Sequence, residues 1–164
     1  MKTVVCDVSP IIFLARLNRL HLIADVLGGR IHVLQCVVDE LRSESAGAVE
    51  SARLAKFLKT AKVVSSRKTR RTSQSLSQCD RYTLTWAIEN NADWLVCDER
   101  LLRRIAVEEG LRVVGFPGLL VQGAKEKHLS PVAARKAVNE AVARYGCRIS
   151  VALFQRILEE LDAI

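Results

Sequence analysis

The sequence is poor in aromatic rings. Phe, Trp and Tyr make up 5% of its 164 residues, so any contact with nucleic acid would lean on charge more than on stacking platforms. It has five cysteines, an odd number, and no C-x-x-C spacing, which argues against both a disulfide framework and a zinc ribbon. No apolar run is long enough to cross a bilayer. The opening "MKTVVCDVSP" is broken by Asp7 and Pro10 and so lacks a signal peptide's apolar stretch. These absences predict a soluble, cytoplasmic chain with reduced thiols and no membrane partner.

What is present is ordinary globular material. Hydrophobic residues are 49% and charged residues 26%, enough apolar matter for one domain with a substantial core. The formal net charge is +7 and the pI about 9.5. That balance suits a polyanionic partner without requiring one.

Val- and Ile-rich runs at 3–6, 93–97 and 112–116, and fainter ones at 30–34 and 62–66, read as strands with helical patterns between them. This alternation predicts an α/β fold: a mainly parallel sheet between layers of helices. Ser9-Pro10 reads as a helix start, and Gly28-Gly29 and Gly110 as stops. After Phe116 the strand signals cease. Two helical patterns follow, with Ser130 and Ser150 as N-caps. One shares a face among Val138, Ala141, Val142 and Tyr145, the other among Val151, Phe154, Ile157, Leu158 and Leu161. The predicted division is a catalytic body over 1–126 and a helical extension over 127–164 packed on it. "SSRKTRRTSQS" (65–75) reads as an exposed, mobile basic loop.

The acids carry the chemistry. In a parallel sheet, ligands bind beyond the carboxyl ends of the strands. Asp7 closes the first strand and Asp98 the fourth, so both face one crevice. Asp98 also reads as a helix N-cap. Asp7, directly after three apolar residues, needs a partner or a cation. Asp80 shares the inward face of its helix with Leu84 and Ala87, and Glu40 lies at the edge of an apolar stripe. Four carboxylates turned to one sheet end would raise one another's pKa values unless a cation met them. As a set of hard oxygen donors they suit Mg²⁺ or Mn²⁺.

The runs "VVCDVSPIIFLARLNRL", "VLQCVVDEL", "SQCDRYTLTWAIENNADWLVCDERLLRRIA" and "GLRVVGFPGLLVQGAKEKHLS" resemble the PIN-domain family of metal-dependent ribonucleases, in particular VapC-like proteins with a C-terminal helical extension. The resemblance spans roughly residues 1 to 160. It implies a three-layer α/β/α sandwich, Mg²⁺ or Mn²⁺, and endonucleolytic cleavage of RNA, with Asp7, Glu40, Asp80 and Asp98 as the acidic site. Ser9 and Glu99 would be auxiliary. It further implies a toxin, an antitoxin partner and a homodimer. The chain departs from the family's pattern at Cys97, where Ser or Thr is usual, at Cys79-Asp80 in place of Gly-Glu, and at Gln35 or Cys36 in place of Pro.

Arg67, Lys68, Arg70 and Arg71 in the loop, and Arg100, Arg103 and Arg104 after Asp98, are the candidate phosphate contacts; they read equally as a solubilising surface. Cys6 and Cys97 should turn into the core as small hydrophobes. Trp86 and Trp94 read as core, and the three histidines take no metal role. Two rivals stand beside the nuclease. A receiver-type phosphate-handling domain expects an acidic pair after the first strand and a Lys after the fifth, which "VVCDVS" and "VVGFPG" do not supply. A catalytically weak PIN fold would instead be an RNA- or protein-binding module.

Overall fold

The computed structural model describes residues 1–70 and 75–164. Its centre is a five-stranded sheet of β1 (Thr3–Cys6), β2 (Arg30–Leu34), β3 (Lys62–Val64), β4 (Trp94–Val96) and β5 (Arg112–Val114). The strand order is β3-β2-β1-β4-β5 and every pairing is parallel, with Val4 opposite both Ile31 and Trp94. Val4, Val5 and Cys6 are fully buried. A strand covered on both faces has no solvated side to mark with polar residues, hence its unbroken apolar run.

Helices α1 (Val8–Arg16), α2 (Leu22–Leu27), α3 (Gln35–Glu44), α4 (Gly47–Thr60), α5 (Gln78–Glu89), α6 (Arg100–Glu108), α7 (Phe116–Lys125), α8 (Pro131–Ala143) and α9 (Val151–Asp162) complete the described residues. Gly28 (φ +67°) ends α2, and Gly110 (φ +85°) follows α6. Where α7 meets α2, Gly123 permits the approach: a Cβ there would lie 2.8 Å from Leu129 Cδ2 and 3.0 Å from Leu22 Cδ2. Among the described residues no helix is long and apolar enough to cross a membrane.

The last two helices join the same hydrophobic cluster as the sheet, through Ala134, Ala137, Val138 and Ala141 of α8 and Ile157 and Leu161 of α9. Ser130 and Ser150 cap them, accepting from the N–H groups of Ala133 and Leu153. The ion pairs Arg135–Asp162 and Lys125–Glu160 tie α9 to α8 and α7. The buried stripes differ from the expected ones. Val142 (38% exposed) and Val151 (74%) lie outside them, because α8 seats its alanines on α7 and α9 touches the body mainly through its second half.

Two further expectations are corrected. Ser9 does not start α1; the helix begins at Val8 with Asp7 at the cap position, and Ser9 and Pro10 lie in its first turn. A first-turn proline costs nothing, since the N–H it lacks has no acceptor in the helix. The thiols are not all reduced. Cys36 and Cys79 form a disulfide with Cα atoms 5.7 Å apart. Separated by 43 residues, they meet only because the start of α3 docks beside the start of α5.

Candidate functional site at the carboxyl end of the sheet

β1 and β4 are neighbours, and the strand order reverses between them, so the crevice beyond their carboxyl ends is where such a sheet places a ligand. Asp7 and Asp98 both stand there. The N–H of Asp7 donates to Val96 O at 2.9 Å, fastening the turn after β1 to the end of β4. Asp7 is 4% exposed. Its Oδ1 is buried without a hydrogen-bond partner. Although it occupies the N-cap position of α1, its side chain makes no capping bond. Burial pushes its carboxyl up to about 7, with further increments from the charges of Asp80, Glu40 and Asp98, against the N–H of Val8.

Asp98 is half-buried and held from one side. Its Oδ1 accepts from the N–H of Phe116 at 3.0 Å, at the start of α7, while Oδ2 is buried and unpartnered. Burial raises this carboxyl to about 6. The Phe116 amide, the Arg103 guanidinium and the Ser9 hydroxyl pull it back. Asp98 does not cap its own helix. Glu99 does, accepting from Leu101 at 3.0 Å and Leu102 at 2.6 Å, and its charge still reaches Asp80. Gly115 makes the seat possible, because a Cβ on it would collide with Asp98 Oδ1 and lie 3.1 Å from Arg103 Nη1.

Asp80 stands in the first turn of α5, where its N–H donates to the capping Ser77 at 3.1 Å. Burial raises its carboxyl, and Glu99 adds to the effect. Glu40, half-buried in the second turn of α3, is raised by burial, then by Asp80 and Glu44. The four acids named from the sequence therefore feel one another across four separate elements. The disulfide lies beside two of them: Cys79 precedes Asp80, and Cys36 is one helical turn before Glu40.

The basic candidates scatter. Arg103 turns inward and donates to Cys97 O at 2.8 Å. Arg104 pairs with Glu108 and Arg70 with Glu109 on the surface. Arg67, Lys68 and Arg100 are exposed, and Arg71 lies outside the described residues, as does the mobility expected of residues 71–74. Cys6 and Cys97 are buried, with thiols pushed far up by burial first and by Asp7 next. Trp86 is half-buried on the ring of His32, and Trp94 lies under Arg112 at the opposite end of its strand. Sequence reasoning missed the Gly115–Phe116 seat, the disulfide, and two arginines beside the crevice, Arg148 and Arg156. A glycine directly before a helix and after a strand was the one available signal for the seat.

Among the described residues no three His, Cys, Asp or Glu side chains converge closely enough to form a metal cluster by themselves. Mg²⁺-class ions do not require one; they keep several waters and are commonly held by one or two carboxylates. Asp7 Oδ1 and Asp98 Oδ2 are buried, unpartnered hard oxygens on adjacent strand ends, and Glu40 and Asp80 stand within electrostatic reach. A divalent cation fits this donor set. A cation bound there would relieve the repulsion that raises the Asp7 carboxyl.

No curated protein matches the chain. Among solved structures, a PilT N-terminus domain protein from the hyperthermophilic archaeon Sulfolobus solfataricus P2 matches with TM-score 0.51 and 15% identity, over 71% of this chain and 89% of that one. A domain of a functionally unknown protein from Methanocaldococcus jannaschii DSM 2661 matches with TM-score 0.49 and 19% identity, over 70% and 91%. At 15% identity the likeness to the Sulfolobus protein is one of fold. A family described as "DUF3368: PIN domain" matches residues 3–163. The chain belongs to the PIN-domain family, whose members are generally nucleases.

Proposed function

We propose that this protein is a divalent-metal-dependent endoribonuclease. The observation that carries the reading is the pair of unpartnered buried oxygens, Asp7 Oδ1 and Asp98 Oδ2, at the carboxyl ends of two adjacent strands. A fold gains nothing by burying unsatisfied carboxylate oxygens; each costs on the order of 1–3 kcal/mol. Such a cost is typical of a site held ready for a ligand.

Asp7 and Asp98 would hold Mg²⁺ or Mn²⁺ directly, and Glu40 and Asp80 directly or through water. When bound, the cation supplies an acidified water and neutralises charge on the scissile phosphate. The chain supplies the rest. Glu40 and Asp80 have carboxyl pKa values raised by burial and by neighbouring acids, which suits them to take the proton of the attacking water. Water oxygen bonds to phosphorus, the P–O3′ bond breaks, and the proton passes to the departing 3′ oxygen. The products are a 5′-phosphate and a 3′-hydroxyl. Ser9, freed from capping and beside Asp98, can orient a water or a phosphate oxygen. The VapC-like resemblance supports a toxin role, with a small antitoxin and a second copy of the chain as partners, in the cytoplasm.

The second reading is a weakly active PIN fold that binds RNA or protein. It is favoured by the lack, among the described residues, of a ready-made three-ligand cluster. Purified protein incubated with a structured RNA and Mg²⁺, Mn²⁺ or EDTA separates the two. The nuclease gives metal-dependent cutting that Asp7→Asn and Asp98→Asn abolish. Metal uptake with no cutting favours the module.

A further inference from the structure

A cleft of about 790 Å³ opens from Asp98 and Ser9 and runs between the start of α7 and the segment that leads into α9. Its volume lies in the range of sites that enclose a drug-sized ligand. From the site the cleft presents Asp98, Glu99 and Arg103, and from the segment leading into α9 and α9 itself Arg148, Ile149, Leu153 and Arg156. Phe13, half-buried and stacked on Phe116 with ring centroids 5.0 Å apart, forms part of one wall.

The cations differ in their commitments. Arg103 is spent on Cys97 O, and Lys125 on Glu160 at 3.0 Å. Arg148 and Arg156 are exposed and make no ion pair or hydrogen bond within the described structure. Two uncommitted guanidiniums over an apolar wall, in a cleft continuous with a candidate nuclease site, match a chain that alternates phosphates with flat rings. We propose that this cleft holds the single-stranded RNA flanking the scissile phosphate, with Arg148 and Arg156 on its phosphates and a base against Phe13. The inference rests on the nuclease reading and deepens it. α9 and the segment before it thereby become part of the substrate site. An acidic protein segment would also meet the arginines, but it would leave the aromatic wall without a flat partner.

The test is fluorescence anisotropy of a labelled single-stranded RNA on the full chain carrying Asp7→Asn, which leaves the RNA intact. Arg148→Gln with Arg156→Gln is expected to weaken binding about tenfold or more at low salt. It should also reduce the slope of log affinity against log salt by about 1.4, or roughly 0.7 for each lost phosphate contact. Phe13→Leu should weaken binding severalfold with the slope unchanged. Lys56→Gln with Lys59→Gln, exposed on α4, should change neither. Circular dichroism checks that each variant is folded. Unchanged affinity in the Arg148/Arg156 variant, an equal loss in the Lys56/Lys59 pair, or an acidic peptide that outcompetes RNA through the same arginines overturns the proposal. Cutting of the same RNA by the otherwise wild-type protein separates the two claims. Metal-dependent cutting alongside arginine-independent binding sinks the cleft and spares the nuclease. Arginine-dependent binding with no cutting does the reverse.

Discussion

The main-chain N–H of Phe116 donates to Asp98 Oδ1 at 3.0 Å, so the first amide of α7 fixes one oxygen of the carboxylate that ends β4 and leaves the other unpartnered. The strand end, the glycine turn and the helix start act here as one fixture. Gly115 has no side chain because the space a Cβ would need belongs to Asp98 Oδ1.

Gly115→Ala is therefore expected to displace Asp98. A misplacement of an ångström at a reacting centre costs on the order of 10²-fold in rate, whereas forcing one methyl into a packed region costs about 1–3 kcal/mol of stability. Single-turnover RNA cleavage and a thermal melt on the same preparation measure both. A variant with normal cleavage would remove Gly115 from the account of the site.

Glu99 and Asp98 should part company in the same assays. Glu99 caps α6 with both oxygens, so Glu99→Ala is expected to cost about 0.5–2 kcal/mol of stability and to lower cleavage far less than Asp98→Asn does. Equal loss of cleavage in the two variants would assign Glu99 to the chemistry.

The metal-free protein should lose stability as the pH rises. Asp7 has its carboxyl raised from 3.8 to about 7 and Asp98 from 3.8 to about 6, so the folded state holds both protons more tightly than the unfolded chain. Their contribution is fully present below pH 3.8 and is lost as the pH climbs through 6 and then 7. In EDTA the melting temperature should be higher at pH 5 than at pH 8. Asp7→Asn should shrink that difference and raise the melting temperature at pH 8, and Mn²⁺ should restore the wild type there. A wild type and Asp7→Asn with the same pH profile would contradict the burial of an ionised Asp7.

The Cys36–Cys79 bridge closes a loop of 43 residues, for which loop entropy gives roughly 2–4 kcal/mol of stabilisation. Dithiothreitol or Cys36→Ser should lower the denaturant midpoint accordingly. Without reductant, denatured protein should titrate as three thiols, Cys6, Cys97 and Cys147; five would show that the bridge does not form. In the native state the half-buried Cys147 should react before Cys6 and Cys97.

The centre of the sheet was legible because β1 carries an unbroken apolar run buried on both faces; the edge strand β3, with Val63 41% exposed, gives a fainter run. Asp7 stood out because an ionisable residue directly after an unbroken apolar run has no other explanation within its own element, whereas Asp98 also read as a helix N-cap. What stayed hidden depends on pairs of elements. No spacing in the sequence shows that Cys36 meets Cys79, since that contact is made by two helices docking. Asp98 and Glu99 are adjacent and chemically alike, and only the direction of each side chain decides which caps α6 and which faces Phe116. Arg148 and Arg156 come beside the crevice only through the packing of α9 on α7.

In the proposed site Asp7 and Asp98 hold a divalent cation at the end of the sheet. Calorimetric titration of metal-free protein with Mn²⁺ at pH 6.5, in two buffers of different ionisation enthalpy, decides whether they do. Because Asp7 is pushed up to about 7, metal uptake should release protons there, and heats should differ between the buffers. Asp7→Asn and Asp98→Asn should each abolish the binding. A wild type that takes up no Mn²⁺, or variants that bind it as well as the wild type does, would contradict the claim.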